Sequence, residues 1–171
     1  TAMAKDGGIE NGRTASEVVA EIQRQIKAFR EKHRLDRVIV VNLASTEAGH
    51  DAPREYGSLR DFARLIVEDR RKLLCASVIY AYAAIDLGCP FVNFTPSFGA
   101  SIPAMEELAM VRGVPHAGKD GKTGETLVKT ALAPMFLARN LRLLSWESHN
   151  ILGNRDGLVL RQPGANRSKT K

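Results

Sequence analysis

The sequence predicts an α/β fold built on a mostly parallel sheet with alternating helices. Short apolar runs rich in β-branched residues alternate with longer segments in which apolar residues recur at helical spacing. Continuous apolar runs are typical of parallel strands, which are buried on both faces. The length of 171 residues and the hydrophobic fraction of 44% suit one domain with a core, or a large piece of a bigger one.

The first half of the chain is predicted to hold two helices and one strand. Residues 1–15 are polar and glycine-rich, and we expect a flexible segment there. Ser16 is expected to cap the first helix. The apolar run RVIVVNL at 37–43 predicts a buried strand. After a loop, a single long helix is predicted from Ser58 to about Leu87.

Two more strands and a helix are predicted in the middle of the chain. The runs PFVNFTP at 90–96 and VPHAG at 114–118 are short and apolar, as strands are. Pro103 in a first turn and Gly113 at an end bound a predicted helix between them. Strands and helices therefore continue to alternate.

The C-terminal third is predicted to begin with a helix from about Thr123 that breaks near Pro134. The run LRLLSWESHN at 141–150 predicts a further strand, followed by a turn rich in glycine and asparagine. Residues 161–171 form a polar, basic tail. The folded α/β region is thus expected to span residues 16–160.

The charge of the chain favours an anionic partner but not a nucleic acid. The formal net charge is +6 at pH 7, and most of the surplus is spread along the sequence. Aromatic residues make up only 6%, so the basic residues are not interleaved with a stacking platform for bases. We expect solvated basic faces and one local anion site, with nucleic acid as the weaker alternative.

The cysteine pattern indicates a reducing compartment. Cys75 and Cys89 are each set among apolar residues and have no metal-ligand spacing, so buried free thiols are expected. No signal peptide and no apolar run of membrane-spanning length are visible. We expect a cytoplasmic protein without a membrane partner.

The loops that follow the predicted strands indicate where a ligand binds. In parallel α/β sheets, ligands lie outside the carboxyl ends of the strands. The segments there are small or polar: ASTE (44–47), TPSFGAS (95–101), GKDGKTGE (118–125) and NILGNRDG (150–157). Such residues permit close approach of the backbone to a ligand, so the four loops predict one shared site.

The stretch KDGKTGETLVK at 119–129 is the strongest candidate for an anion site. Its glycines permit tight geometry, and the helix that starts near Thr123 points free N–H groups outward. Lys122 at this helix N-terminus is opposed by the helix dipole, which makes better sense if an anion lies between them. Lys129 is two turns further and is expected on the same face. A solvated first turn is an equally good explanation, and Lys119 is assigned to solvent.

The remaining polar candidates are less specific. Asn150, Asn154 and Asp156 offer polar ligands, although a plain Asn/Asp/Gly turn explains each one. His149 could serve as a general base, but a lone histidine is more often structural. Asn42 and Asn93 end apolar strands and could aim at a ligand or cap the strand. The histidines have no metal-ligand spacing, so no metal site is assigned.

Four segments in this order resemble the myo-inositol-phosphate synthase family, in particular its prokaryotic branch: VVNLASTE, PFVNFTPS, DGKTGETLVKTALAPMF and SHNILGNRDG. The resemblance extends from about Leu35 to the C-terminus. It implies part of a Rossmann-like NAD-binding domain plus a GAPDH-like catalytic α+β domain, in a homo-oligomer, expected to be a tetramer. It also implies conversion of D-glucose 6-phosphate to 1D-myo-inositol 3-phosphate, by NAD-dependent oxidation, enolisation, aldol cyclisation and reduction. A divalent cation is a second cofactor that the resemblance leaves open.

The resemblance also implies roles for individual residues. Fixed cations stabilise the phosphate and the enolate or alkoxide oxygens of such a reaction. The implied catalytic lysines are Lys122, Lys129 and, less securely, Lys169. The implied cofactor-binding residues are Ala44, Ser45, Thr46, Thr95, Ser97 and Asp120, and the candidate substrate-binding residues are Asn150, Asn154 and Asp156.

The sequence also departs from the family pattern. The glycine-rich pyrophosphate loop of the family lies upstream of VVNLASTE, and this chain contains no GxGxxG element. The chain is therefore expected to be a central-to-C-terminal portion of a synthase about twice as long. The alternative is a non-catalytic α/β module that binds an anion or a nucleotide.

Overall fold

A parallel three-stranded sheet forms the centre of the fold. The structure, a computed structural model, describes residues 12–48, 51–148, 161 and 163. The strands are β1 (Val40–Asn42), β2 (Phe91–Asn93) and β3 (His116–Ala117), and they lie side by side in that order. In register, Val41 pairs with Val92, which pairs with Ala117. The three strands fall within the three predicted runs, and the predicted α/β class is confirmed.

Five helices alternate with these strands in the described part of the chain: α1 (Ala15–Lys32), α2 (Leu59–Val67), α3 (Ala76–Asp86), α4 (Pro103–Arg112) and α5 (Gly124–Ala138). Short 3₁₀ turns lie at Arg54–Gly57 and Arg71–Leu73. As predicted, α4 has proline in its first turn and ends at Gly113, which has a left-handed φ of 65°.

The first helix starts earlier than predicted. Its N-cap is Thr14, whose hydroxyl accepts from the backbone N–H of Glu17, while the Glu17 carboxylate accepts from the N–H of Thr14. This reciprocal capping box replaces the predicted cap at Ser16, whose hydroxyl instead donates to the Ile66 carbonyl at 3.1 Å. The prediction was wrong because it overlooked the T-x-x-E pattern two residues upstream.

The predicted long helix from Ser58 to Leu87 is two helices. Ser58 does cap α2, but the helix ends at Val67, and Asp69 has a left-handed φ of 52°. The Asp69 carboxylate accepts from the backbone N–H of Ala15 at 2.7 Å and from Arg71. A non-glycine residue in this conformation interrupts a helix, and the long-range bond to Ala15 helps to hold it there.

The core lies between the sheet and α1 to α4. The helix α3 is central to it, since it packs against α1, α4 and β2 and buries most of its side chains. The largest fully buried side chains are Tyr56, Phe62, Phe91, Ile79, Ile85, Met105 and Val78. Cys75 and Cys89 are free and buried, as predicted, and burial raises the pKa of the Cys75 thiol to about 11.

The opposite face of the sheet is exposed in the described structure. Ile39, Val41 and Leu43 alternate along β1 and its ends, and their exposed fractions are 61%, 46% and 74%. The intervening Val38 and Val40 pack against the core. Because alternate residues of a strand face opposite sides, β1 carries one buried face and one bare apolar face.

The region after β3 differs from the prediction in two ways. The helix α5 continues through Pro134 instead of breaking there. Both Pro134 and Thr130 are exposed, so water can hydrate the Thr130 carbonyl, which has no helical hydrogen bond because proline lacks an N–H. Residues 141–148 are not a strand; no other described strand pairs with them, and the Trp146 ring instead meets Phe136 of α5 edge to face. None of the described helices is long and apolar enough to span a membrane.

Candidate functional site

Loops at the carboxyl ends of the three strands enclose a cavity of about 300 Å³. We name them the first loop (43–47), the second loop (94–99) and the third loop (118–123). The residues that line the cavity are Leu43, Ala44, Ser45, Thr46, Phe94, Thr95, Pro96, Asp120, Gly121, Lys122, Thr123 and Thr126. This confirms that these three loops converge, as the order of strands and polar segments predicted.

A buried polar network supports the floor of the cavity. The Oδ1 atom of Asn93, a residue that is 2% exposed, accepts from Asn42 Nδ2 (3.1 Å), Thr95 N (3.0 Å) and Thr95 Oγ1 (2.8 Å). The Nδ2 atom of Asn93 donates to the Ser97 carbonyl at 2.8 Å, and Thr95 Oγ1 accepts from Ser97 N at 3.2 Å. These bonds fix the second loop. Asn42 and Asn93 therefore position the loops as buried strand-end residues.

Two glycines allow the third loop to lie directly on the end of β2. A Cβ atom on Gly118 would overlap the carbonyl oxygen of Asn93, and one on Gly121 would overlap the ring of Phe94. Gly118 also has a positive φ of 111°. The N–H of Gly121 donates to the Phe94 carbonyl at 3.2 Å, which closes the wall of the cavity.

Lys122 is the cation at the mouth of this cavity. Its Nζ atom lies 3.5 Å from Asp120 Oδ2, and its side chain is 51% exposed. It precedes the N-cap Thr123, whose extended backbone (φ −135°, ψ 170°) turns the chain into α5. Lys122 therefore lies outside the helix, and the prediction that it shares a helical face with Lys129 was wrong.

Lys129 is not among the residues that line the cavity, although Thr126, three residues earlier on α5, is. Lys129 forms an ion pair with Glu125 one turn earlier and donates to the Trp146 carbonyl at 3.4 Å. The hydrogen bond from Lys129 lowers the pKa of the Glu125 carboxyl. Lys119, which we assigned to solvent, is exposed, and its Nζ atom lies 5.0 Å from the centre of the Phe98 ring.

The structure brings together most of the candidate residues that it describes. Ala44, Ser45, Thr46, Thr95, Asp120 and Lys122 all line the cavity, and Ser97 lies behind it, where its hydroxyl accepts from the N–H of Glu47 at 3.1 Å. Lys169, His149, Asn150, Asn154 and Asp156 lie outside the described residues, so their roles stay predictions.

Sequence reasoning missed several residues of the site. Phe94, Thr123 and Thr126 also line the cavity, and each lies in or beside a segment that the sequence had singled out. Glu47 ends the first loop, and its carboxylate contacts Ser77, which is distant in sequence and could not be predicted as its partner. Within the described ranges, no group of three His, Cys, Asp or Glu side chains could hold a metal ion.

A parallel α/β sheet with a polar cavity at its carboxyl ends is the arrangement of Rossmann-like nucleotide-binding domains. Residues 2–160 match the NAD-binding family model described as myo-inositol-1-phosphate synthase. The chain belongs to this family. The similarity favours the synthase family over the non-catalytic module.

Known relatives show the same similarity in sequence and in structure. Inositol-3-phosphate synthase 1 of Bacteroides thetaiotaomicron is 40% identical over 155 residues, which are 91% of this chain and 36% of the relative. The Saccharomyces cerevisiae inositol-3-phosphate synthase is 34% identical over 86% of this chain and 28% of its own length. The crystal structure of inositol-3-phosphate synthase from Caenorhabditis elegans superposes with a TM-score of 0.82 at 29% identity, over 94% of this chain and 31% of that one. The chain thus spans about a third of the length of these relatives.

Proposed function

We propose that this chain forms part of the active site of an NAD-dependent inositol-3-phosphate synthase. The reaction is the conversion of glucose 6-phosphate to 1D-myo-inositol 3-phosphate in inositol biosynthesis. The observation that supports the proposal is the cavity in which the expected cofactor loop, Ala44 to Thr46, meets Lys122. A sugar phosphate and a cofactor that react with each other need such a shared site.

The residues around the cavity fit part of an NAD molecule. The lining offers the hydroxyls of Ser45, Thr46 and Thr95 and the carboxylate of Asp120, which suit the hydroxyl and amide groups of a nucleotide. The chain has no GxGxxG loop for the pyrophosphate, so these residues would hold only a portion of the cofactor. When bound, NAD would supply a reversible hydride acceptor, and these hydroxyl and carboxylate groups would orient it.

Lys122 is proposed to bind the substrate phosphate or to stabilise a developing oxyanion. Its contact with Asp120 is half exposed, and exposed ion pairs contribute only about 0–1 kcal/mol. The ammonium group can therefore turn toward a substrate anion at small cost. Once paired with the substrate, such a cation would lower the energy of enolate and alkoxide intermediates without covalent chemistry.

Lys129 and the other implied residues complete the proposal. To bind substrate, Lys129 would have to break its ion pair with Glu125. Because both side chains are partly exposed, that ion pair opposes the change only weakly. Lys169, Asn150, Asn154 and Asp156 are proposed on the family resemblance alone. The resemblance also supports a homotetramer and leaves open a divalent cation as a second cofactor, while the buried free cysteines suit the proposed cytoplasmic location.

Calorimetric titration tests the proposal. The 171-residue chain is titrated with NAD and with glucose 6-phosphate, at low and moderate salt. Binding is measured instead of turnover because the chain spans about a third of the length of its relatives. We expect glucose 6-phosphate to bind at low salt, and we expect Lys122→Ala to weaken it about tenfold or more, as loss of a charged hydrogen bond does.

Lys119→Ala is the matched control, since it removes an exposed lysine three residues away. It should leave the affinity for glucose 6-phosphate within about twofold, because the ammonium group lies over Phe98 and not in the cavity. Equal losses in the two variants would show that only general positive charge attracts the ligand. A folded chain that binds neither NAD nor glucose 6-phosphate would contradict the proposal.

A further inference from the structure

We propose that Glu47 is a positioning residue that fixes the first loop and thereby holds Ser45 and Thr46 against the ligand cavity. This inference rests on the proposed function in one respect, since it takes the occupant of the cavity to be NAD. It deepens that function by assigning a residue that does not line the cavity and that the sequence did not single out.

The carboxylate of Glu47 is attached to the N-terminus of α3. One of its oxygens accepts from the backbone N–H of Ser77 at 2.9 Å, and the other accepts from the Ser77 hydroxyl at 2.5 Å. Ser77 is the second residue of α3 and is only 4% exposed. A two-oxygen contact with a buried partner fixes both the position and the rotation of the Glu47 side chain.

The N-terminus of α3 needs the Glu47 carboxylate as a hydrogen-bond acceptor. The N-cap residue Cys75 makes no side-chain capping bond, so the first N–H groups of the helix depend on other acceptors. A negative charge at a helix N-terminus is also stabilised by the helix dipole. Since α3 has the most buried residues of the described helices, the Glu47 contact ties the first loop to the core.

Two backbone hydrogen bonds also hold the first loop, one at Ala44 and one at Glu47. The N–H of Ala44 donates to Asn42 Oδ1 at 3.2 Å. The N–H of Glu47 donates to the hydroxyl of Ser97 at 3.1 Å, which links the loop to the Asn93 network. Ser45 and Thr46 are the two residues between these anchors, and both line the cavity. Loss of the Glu47 side chain would leave the Glu47 end of this pair with the backbone bond to Ser97 but without the bonds to Ser77.

Ser77 connects the first two loops through the same hydroxyl. While this hydroxyl donates to Glu47, it accepts from the N–H of Gly99 at 3.3 Å. The start of α3 thus sets the distance between the first loop and the end of the second loop. The geometry of the cavity wall therefore depends on a helix that does not itself line the cavity.

The test compares Glu47→Ala with Glu107→Ala in the 171-residue chain. Glu107 is a matched control because its carboxylate also accepts from a backbone N–H at a helix start, Leu59 of α2, at 2.7 Å. It does not line the cavity. Both variants remove a carboxylate that caps a helix, so both should lower stability, but only Glu47 should affect the first loop.

Two quantities are measured on each variant: amide hydrogen exchange in residues 43–47 without ligand, and the dissociation constant for NAD. For Glu47→Ala we expect exchange in the loop to speed up about tenfold and NAD to bind about tenfold more weakly, because binding must then order the loop. Glu107→Ala should leave both quantities within about twofold. Glu47→Gln keeps the length and one carbonyl oxygen, so it should restore most of the wild-type behaviour.

Unchanged exchange in residues 43–47 of Glu47→Ala would overturn the inference, as would equal weakening of NAD binding in the two alanine variants. If the wild-type chain does not bind NAD, the proposed function fails, while the exchange comparison still decides whether Glu47 fixes the loop. If Glu47→Ala does not fold, Ser77→Ala replaces it. That variant removes the hydroxyl contact but keeps the backbone bond, and it should speed up loop exchange by a smaller factor.

Discussion

The hydroxyl of Thr95 should contribute several kcal/mol to stability, and Thr95→Val tests this directly. Threonine and valine have nearly the same shape, so the substitution removes hydrogen bonds without opening a cavity. Thr95 is 4% exposed, its hydroxyl donates to Asn93 Oδ1 at 2.8 Å, and it accepts from Ser97 N at 3.2 Å. Valine would therefore abolish one bond and leave a buried N–H without its acceptor.

The expected cost follows from those two effects. The lost bond from Thr95 to Asn93 is worth about 1 kcal/mol, and leaving a buried N–H at Ser97 without an acceptor costs about 1–3 kcal/mol. We expect Thr95→Val to lower the free energy of unfolding by about 3 kcal/mol. The measurement is urea denaturation followed by circular dichroism, with an unchanged denaturant slope.

Thr130→Val is the matched control for this prediction. Thr130 is exposed on α5, and its hydroxyl donates to the Thr126 carbonyl at 2.7 Å, a bond that water can replace. This control should stay within about 0.5 kcal/mol of wild type. If Thr95→Val is as mild as Thr130→Val, the buried network does not stabilise the loops, and the account of the cavity floor is wrong.

Three further outcomes are expected. Gly121→Ala should cost about 1–3 kcal/mol and weaken NAD binding, because the new methyl group displaces the Phe94 ring; Gly57→Ala, with open space at its Cβ, should be near neutral in the same urea assay. The hydrogen bond from Arg71, with that from the Ala15 N–H, lowers the pKa of the Asp69 carboxyl, so its stabilisation is present above the usual carboxyl pKa and is lost as pH falls through the lowered value. Asp69→Asn should therefore flatten the fall in stability as pH drops below the usual carboxyl pKa, and an unchanged profile would contradict this. The Cys75 thiol should resist alkylation at pH 8 until the chain unfolds, because burial keeps it protonated.

The strands and the location of the cavity could be predicted because local signals determine them. The runs at 37–43, 90–96 and 114–118 are short and mostly apolar, the first of them is rich in β-branched residues, and each contains an observed strand. Parallel strands place their carboxyl ends at one edge, so the polar segments after them had to converge. That reasoning correctly brought Thr46 and Lys122 to one cavity.

The remaining features depend on contacts between distant parts of the chain. The break at Asp69 is stabilised by a bond to Ala15, which is 54 positions away, and the anchor at Glu47 needs Ser77, 30 positions away. Lys129 does not line the cavity with Lys122, because the extended backbone of Thr123 places Lys122 outside the helix that carries Lys129. Residues 141–148 have the composition of a strand, but composition does not supply a neighbouring strand to pair with.

The bare face of β1 has a consequence for handling the protein in solution. Ile39, Val41 and Leu43 present an apolar ridge to water beside the half-exposed ring of Phe94. Such a ridge should bind hydrophobic dyes in the native state and should promote self-association that increases with kosmotropic salt. Ligand titrations on this chain therefore call for dilute samples and a light-scattering check at every concentration, since a particle that grows during the titration would mimic the heat of binding.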